Sequence, residues 1–239
     1  MSAAPSEPPL ATTWTTARVA QVERIADHLV RLRLEPASWA AGLPGQHCVV
    51  RLRAADGYTA QRSYSLASDP ADPSVELMVE CLPGGEVSGF LHDEVRVDDV
   101  LELRGPIGGW FTWTGDVPAI AIGGGTGVVP LVAMLRYAAR LGLADRLRVV
   151  AVGRTLDELP YAQELRDAGA FVALTRVNLP HRVAAPPYPS EVAPLVSGVG
   201  RAYVCGSVGF ASYATRLLGE LGVGADLVRV EQFGATGLS

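Results

Sequence analysis

Four short stretches of this chain carry residue types that can do chemistry together. The first is Arg62-Ser63-Tyr64-Ser65. On a strand, Arg62 and Tyr64 face one side while Ser63 and Ser65 face the other. An arginine can pair bidentately with a phosphate, and a tyrosine ring can lie against a planar cofactor. The same run, taken alone, also reads as an ordinary alternating surface strand. The second stretch is Gly84-Gly85-Glu86-Val87-Ser88, where glycines precede a helix start that Ser88 is expected to cap. It reads either as a phosphate seat or as a plain capped loop. The third is Ala119–Ile122, a short apolar strand running into a glycine turn, Gly123–Gly127, with Val128, Leu131, Val132 and Leu135 following at helical spacing. Glycines let a backbone turn sharply and approach a ligand closely. The helix after them offers unpaired N–H groups and a positive dipole end, which suit a pyrophosphate. The fourth is Cys205-Gly206-Ser207, at the end of a later strand.

The elements around these stretches fall into two rhythms. From Trp14 to about Trp113 the chain reads as short strands broken by Pro and Gly: Val19–Arg24, His28–Leu34, Cys48–Leu52, Gln61–Ser68, Val75–Cys81 and Val100–Arg104. A short helix containing Phe90 and Leu91 interrupts them, and Gly105-Pro106 reads as a stop. This pattern predicts a small closed barrel. From Val117 onward strands alternate with helices, which predicts a parallel sheet. The strands are Ala119–Ile122, Arg148–Gly153, Ala170–Thr175, Ala202–Cys205 and Leu227–Val230; the helices are about Val128–Leu141, Tyr161–Ala168, Ser190–Leu195 and Phe210–Leu221. Asn178–Pro189, with four prolines, is expected to be an irregular loop. Residues 1–13 read as a disordered leader, residues 14–115 as a barrel domain and residues 116–239 as an α/β domain, joined at Gly115–Val117. Open parallel sheets bind ligands beyond the carboxyl ends of their strands. The glycine turn and Cys205-Gly206-Ser207 therefore share one edge.

Composition narrows the function classes. The net charge of −5 argues against a nucleic-acid binder. The three cysteines, Cys48, Cys81 and Cys205, are too few for a four-cysteine cluster or a disulfide framework, which points to a reducing, cytoplasmic compartment. No apolar run reaches membrane-spanning length. No metal site of His, Cys and carboxylates is visible, and His47 reads as part of the barrel wall.

The motifs occur in the order and rough spacing of the ferredoxin–NADP reductase superfamily. They are Arg62-Ser63-Tyr64-Ser65, Gly85-Glu86-Val87-Ser88, Gly105-Pro106-Ile107-Gly108, Gly123-Gly124-Gly125-Thr126-Gly127-Val128-Val129-Pro130, Val204-Cys205-Gly206-Ser207 and Glu231-Gln232-Phe233-Gly234. The chain resembles that superfamily from about Ala17 to Gly234. The resemblance implies a six-stranded antiparallel Greek-key barrel that binds FAD, followed by a doubly wound parallel-sheet domain that binds NAD(P). It implies that Arg62 binds the flavin pyrophosphate, that Tyr64 stacks on the isoalloxazine and that Ser65 sits near flavin N5, with Ser63 and Val79 among the flavin contacts. Gly85, Val87 and Ser88 add pyrophosphate contacts, and Gly105-Pro106 closes the barrel towards the second domain. Gly124, Gly125, Thr126 and Gly127 receive the nicotinamide nucleotide. Cys205, with Gly206, lies beside the nicotinamide ring, and Glu231 and Phe233 approach the same place. The implied chemistry is hydride transfer from the coenzyme to flavin N5, in which the cofactors react and the protein positions them.

Two further expectations concern the ligands at either end of that transfer. Arg154, in Gly153-Arg154-Thr155, stands where an NAD site commonly places an acid, and Arg176 closes the next strand. Both favour the 2′-phosphate of NADPH over NADH, although Asp157 and Glu158 follow closely. The electron acceptor is expected to be a separate protein, a ferredoxin or an oxygenase component. The rival readings are a flavin or quinone reductase with a diffusible acceptor and a non-catalytic electron-transfer subunit of a larger complex. A monomer or weak dimer is expected. Arg136, Arg140, Arg146 and Arg148 form either a basic docking patch or a solvated helix face.

Overall fold

The computed structural model describes residues 13–233. The leader expected at the amino terminus and Gly234 of the last motif lie outside them, apart from Thr13. Two sheets organise the described chain. The first contains β1 (Thr15–Ala26), β2 (Leu29–Pro36), β3 (His47–Arg53), β4 (Thr59–Ser65), β5 (Val75–Glu80) and β6 (Val100–Ile107), with α1 (Glu86–Asp93) between β5 and β6. Its order is β4-β3-β6-β1-β2-β5, and every pairing is antiparallel. The two edge strands meet where Leu66 bridges Leu77 and the Ala67 N–H donates to the Glu76 carbonyl at 2.9 Å. That bridge draws the sheet into a barrel, and Tyr58, just before β4, donates its hydroxyl across to Glu86 at the start of α1 at 3.0 Å. Val19, Val30, Leu32, Cys48, Val50, Leu77, Val79 and Leu103 fill the interior.

The second sheet contains β7 (Ala119–Gly124), β8 (Leu147–Gly153), β9 (Phe171–Leu174), β10 (Arg201–Ser207) and β11 (Val228–Phe233), in the order β11-β10-β7-β8-β9. All its pairings are parallel. A parallel strand is buried on both faces. Here Ala119, Ala121, Val149, Tyr203 and Cys205 pack under α2 (Val129–Leu141) and α3 (Ala162–Asp167). Ile120, Ile122, Val150, Ala202 and Val204 pack on the opposite face under α4 (Pro189–Val192) and α5 (Val208–Glu220). The sheet is doubly wound, and β7 lies at its centre with the chain winding away on both sides. The α2 face also takes in Leu29, Ala67 and Met78 of the barrel, together with Phe111 and Trp113, so one apolar cluster joins the two sheets.

Several boundaries differ from the sequence reading for physical reasons. Gly105-Pro106 stops nothing, because both residues lie inside β6. β4 ends at Ser65 rather than Ser68, where the chain leaves β3 for its bridge to β5. β7 runs on to Gly124, and the turn after it is a 3₁₀ segment, Gly125–Val128. The helix expected at Ser190–Leu195 is four α residues followed by a 3₁₀ turn, Ala193–Leu195. The proline-rich segment before α4 has no regular structure, yet it is pinned. Arg182 donates to the Ala185 and Pro186 carbonyls at 2.9 and 2.8 Å and pairs with Glu191 at 2.8 Å.

Candidate active site

The flavin-type residues gather on the edge strand β4, where it faces the β5–α1 corner. Directly opposed residues of an antiparallel pair share a face. Tyr64 therefore shares a face with Cys48, Arg62 with Val50, and Ser65 with His47. Because β4 is an edge strand, Tyr64 lies half-buried at the rim, and Arg62 and Ser63 are exposed. Burial raises the Tyr64 phenol well above its usual range, so it stays a neutral ring. Arg62 donates from Nη1 to the neighbouring Gln61 carbonyl at 2.7 Å, and no carboxylate among the described residues pairs with it. Its guanidinium is free to take an anion. Ser65 is buried, and its Oγ has no hydrogen-bond partner. A buried hydroxyl without a partner is costly, so such a group marks a place where a ligand atom belongs.

Facing β4 stands the start of α1. Ser88 does not cap it, contrary to the sequence expectation. Gly85 is the N-cap, in extended conformation and with no side-chain bond, and Ser88 lies within the helix. The Ser88 hydroxyl accepts the Leu82 N–H at 3.3 Å and donates to the Gly85 carbonyl at 3.2 Å, so it shapes the preceding turn. A Cβ on Gly85 would lie 2.3 Å from that hydroxyl, which is why glycine stands there. The first N–H groups of α1 are thereby left for an anion. Val87 and Val79 are both buried in the barrel interior.

The second sheet brings its motifs together at the carboxyl ends of β7 and β10. A Cβ on Gly127 would lie 2.2 Å from the Cys205 carbonyl oxygen, and one on Gly124 would lie 2.7 Å from the Phe210 ring. At both positions neighbouring protein atoms leave no room for a side chain. Gly125 is the one at this turn with φ +57 and nothing within 4 Å. Thr126 donates from Oγ1 to Glu80 of the barrel at 3.0 Å. Cys205 is fully buried in the shared apolar cluster. Burial, then the neighbouring Glu231, raises its thiol well above the usual range, so it is neither a nucleophile nor a thiolate. Glu231 faces it in register on β11, and burial lifts its carboxyl to about 7. Gly206 lies beside Phe210, and Phe233 packs partly buried against the same cluster as Cys205. At the far end of the edge, Arg154 and Arg176 are exposed neighbours, tied by a backbone bond from the Arg176 N–H to the Arg154 carbonyl at 3.0 Å.

Two further placements could not be read from residue order. The four arginines form neither a docking patch nor a solvated face. Arg136 and Arg140 cross to Glu76 and Asp69 of the barrel half, Arg146 binds the Asp116 carbonyl, and Arg148 binds the Leu195 and Ser197 carbonyls. Cys81 and the adjacent pair His92-Asp93 bring their ligand atoms within 4.8 Å of one another. The Arg24 guanidinium lies 3.2 Å from His92 Nδ1, and its charge opposes a cation there.

Comparison with known proteins agrees with this arrangement. Residues 16–112 match the family model of the oxidoreductase FAD-binding domain. The chain is 31% identical over 235 residues to the reductase component of a propane 2-monooxygenase from Rhodococcus jostii, covering 90% of this chain and 62% of that protein. It is 25% identical to the ferredoxin–NAD(P)(+) reductase component of a naphthalene dioxygenase and salicylate hydroxylase system from Ralstonia, across 92% of this chain and 69% of that one. Among solved structures, a cytochrome P450 reductase from Amycolatopsis superposes with a TM-score of 0.77 at 27% identity, over 92% of this chain and 70% of that one. The FAD/NAD-binding domain of a Vibrio cholerae nitric oxide dioxygenase, at 24% identity, shares the fold with a TM-score of 0.82 over 92% of this chain and 98% of that domain. Residues 16–112 are thus of the oxidoreductase FAD-binding domain type, and over nine-tenths of its length the chain is similar in sequence and fold to reductases of the ferredoxin–NADP reductase superfamily.

Proposed function

We propose that this chain is a cytoplasmic flavoprotein reductase. It takes hydride from NADPH in preference to NADH and passes electrons to a separate acceptor, a ferredoxin or the iron–sulfur or haem component of an oxygenase. The observation that carries this reading is the buried, partnerless Ser65 hydroxyl at the end of β4. It lies two residues before Ala67, which shares one apolar cluster with Cys205 and Val128 of the parallel-sheet edge. Bound FAD supplies the hydride acceptor and lets a two-electron donor serve a one-electron partner.

The chain's own residues bind and orient. Arg62 and the α1 N-terminus supply positive charge and N–H donors for a pyrophosphate, and Tyr64 supplies a flat neutral face at the rim. Ser65 offers one hydroxyl to a ring nitrogen. Gly125 and the N–H groups after it receive the coenzyme phosphates, and Cys205 and Phe233 wall the place where the two rings meet. Arg154 and Arg176 stand exposed side by side, which suits a 2′-phosphate. The buried Cys205 thiol stays neutral, and the Glu231 carboxyl, lifted to about 7, is only partly charged near neutral pH. The relatives named above are reductase components of oxygenase systems, which supports a protein acceptor.

Anaerobic stopped-flow mixing of the FAD-loaded protein with NADPH, and separately with NADH, tests this. Rapid bleaching of the flavin, faster with NADPH, is the expected result. A yellow protein that neither coenzyme bleaches would favour an electron-transfer subunit. A protein that takes up neither FAD nor FMN would overturn the flavin assignment.

A further inference from the structure

β5 is fastened at two points to the segment that follows β7, once at the 3₁₀ turn and once at α2. Glu76, Met78 and Glu80 alternate along β5 and share the face turned to the second sheet. Glu80 accepts the Thr126 hydroxyl at 3.0 Å, at the glycine turn itself. Glu76 accepts Arg136 Nη1 at 2.9 Å, ten positions along the chain from Thr126. The spans agree. Four residues of strand cover about 13 Å, and ten residues through the 3₁₀ turn and helix cover about 15 Å. That segment therefore lies along β5 like a rod clamped at both ends, with Met78 in the apolar cluster between the clamps.

The Arg136 end is the more elaborate. The same Nη1 also donates to the Ala67 carbonyl at 3.0 Å, two residues past Ser65. Its Nε and Nη2 form a fork on Glu164 of α3, at 2.7 and 2.8 Å. Tyr161 donates its hydroxyl to the same Glu76 oxygen at 2.8 Å, from a backbone held at φ +58. That is an unfavourable conformation for a bulky residue, and such strain persists only where the surroundings enforce it. Glu76 is 7% exposed, so its charge has left water and depends on these partners. Without Arg136, that carboxylate would keep only the Tyr161 hydroxyl and the more distant Arg33, whose Nη1 lies 3.8 Å from Oε2.

This fastening goes beyond holding two sheets together. One end of it touches the turn assigned above to the coenzyme, and the other touches the chain just past Ser65. We propose that the β5–α2 clamp sets the approach of the coenzyme turn to the flavin strand, and that Arg136 is a positioning residue for hydride transfer. The inference rests on the reductase reading.

The test compares wild type, Arg136→Met and Arg136→Lys as FAD-loaded proteins, normalised to bound flavin, in anaerobic bleaching by NADPH. Misplacing reactants by about 1 Å costs up to about a hundredfold in rate. Arg136→Met should lower the limiting bleaching rate ten- to a hundredfold (about, by the same relation) with half-saturation and FAD retention little changed. Arg136→Lys keeps one bond of the fork and should recover part of the rate. A merely structural role would lower stability or loading, not the limiting rate per bound flavin. In the flavin-free protein, amide exchange across Ala67–Glu80 and Gly125–Leu141 should quicken in Arg136→Met. An unchanged limiting rate, or unchanged exchange, overturns the proposal. Should Arg136→Met fail to fold, Glu80→Met removes the acceptor at the opposite clamp. A lowered limiting rate at unchanged half-saturation then supports the proposal, and an unchanged rate overturns it. Failure of wild type itself to bleach strikes the reductase reading instead.

Discussion

The two halves of the site are built on opposite plans. At the barrel rim the ligand-facing groups are side chains standing on an open edge: an arginine without a carboxylate partner, a half-buried tyrosine and a serine hydroxyl with nothing to bond. At the parallel-sheet edge the ligand-facing groups are backbone. The glycines there are so tightly packed on Cys205 and Phe210 that only Gly125 has free space. A side-chain cradle gives many specific contacts and suits a resident cofactor. A backbone turn offers N–H groups and a dipole without ordering long side chains, which suits a ligand that comes and goes. The difference also separates how each half should fail under mutation, the first by loss of the cofactor and the second by loss of shape.

Gly127→Ala is the sharpest break of the second half. The new methyl would sit 2.2 Å from the Cys205 carbonyl oxygen, a backbone atom with nowhere to go. Either β10 moves or the turn opens, at a cost of about 3 kcal/mol, the upper range for overpacking. Thermal unfolding should shift down markedly, and coenzyme reduction should be lost while flavin uptake by the barrel survives. A variant with wild-type Tm and wild-type bleaching would show that the turn is not locked on β10.

Arg62→Ala is the matching break of the first half, and its stability cost should be near zero because the side chain is exposed. Loss of one charge-assisted phosphate contact, about 1.5–3 kcal/mol, weakens FAD retention on the order of ten- to a hundredfold. Equilibrium dialysis of the flavin-free protein measures this directly. Retention equal to wild type would move the pyrophosphate away from β4.

Much of this contrast was legible before the structure, and for physical reasons. Alternation and turn residues signal the barrel strands, and the apolar strand followed by glycines and a helical period signals the first parallel unit, because these patterns are local. What stayed hidden depends on partners far along the chain. Nothing near Arg136 shows that Glu76 and Ala67 lie beneath it. Nothing in Gly85-Glu86-Val87-Ser88 shows that the serine hydroxyl turns back on the Leu82 N–H rather than capping. Nothing in the glycine run shows that Gly124 packs on Phe210 and Gly127 on Cys205. The only local hint of the clamp was the alternation of Glu76, Met78 and Glu80, which puts two acids on one face of an otherwise apolar strand.

Glu231 sharpens the comparison through pH. Its carboxyl, at about 7 in the folded chain against an ordinary value of 4.5, holds its proton more tightly folded than unfolded. Stability contributed by the neutral acid is therefore present at low pH and declines as pH rises from about 4.5 to about 7, after which the full penalty of the buried charge remains. Glu231→Gln removes a penalty on the order of 2 kcal/mol above pH 7 and nothing near pH 4. The variant should melt higher than wild type at pH 8, and the gap should shrink about fourfold at pH 5 and close near pH 4. An equal gap at pH 8 and pH 4 would mean that Glu231 is ionised throughout.

The smallest effect is expected at the far end of the coenzyme edge. Arg154 and Arg176 are both exposed and sit side by side through one backbone bond, so each can take over part of the other's charge. Exposed charges contribute little singly, about 1 kcal/mol or less. Arg154→Ala should therefore narrow the ratio of NADPH to NADH bleaching rates by only about fivefold, and Arg154→Ala with Arg176→Ala should remove the preference. The effect should appear in the coenzyme's half-saturation and leave the limiting rate alone, the opposite of the signature expected at Arg136. Half-saturation measured for both coenzymes in the single and double variants reads this out. A double variant that still prefers NADPH would place the 2′-phosphate elsewhere on the edge and leave the two arginines as solvated neighbours.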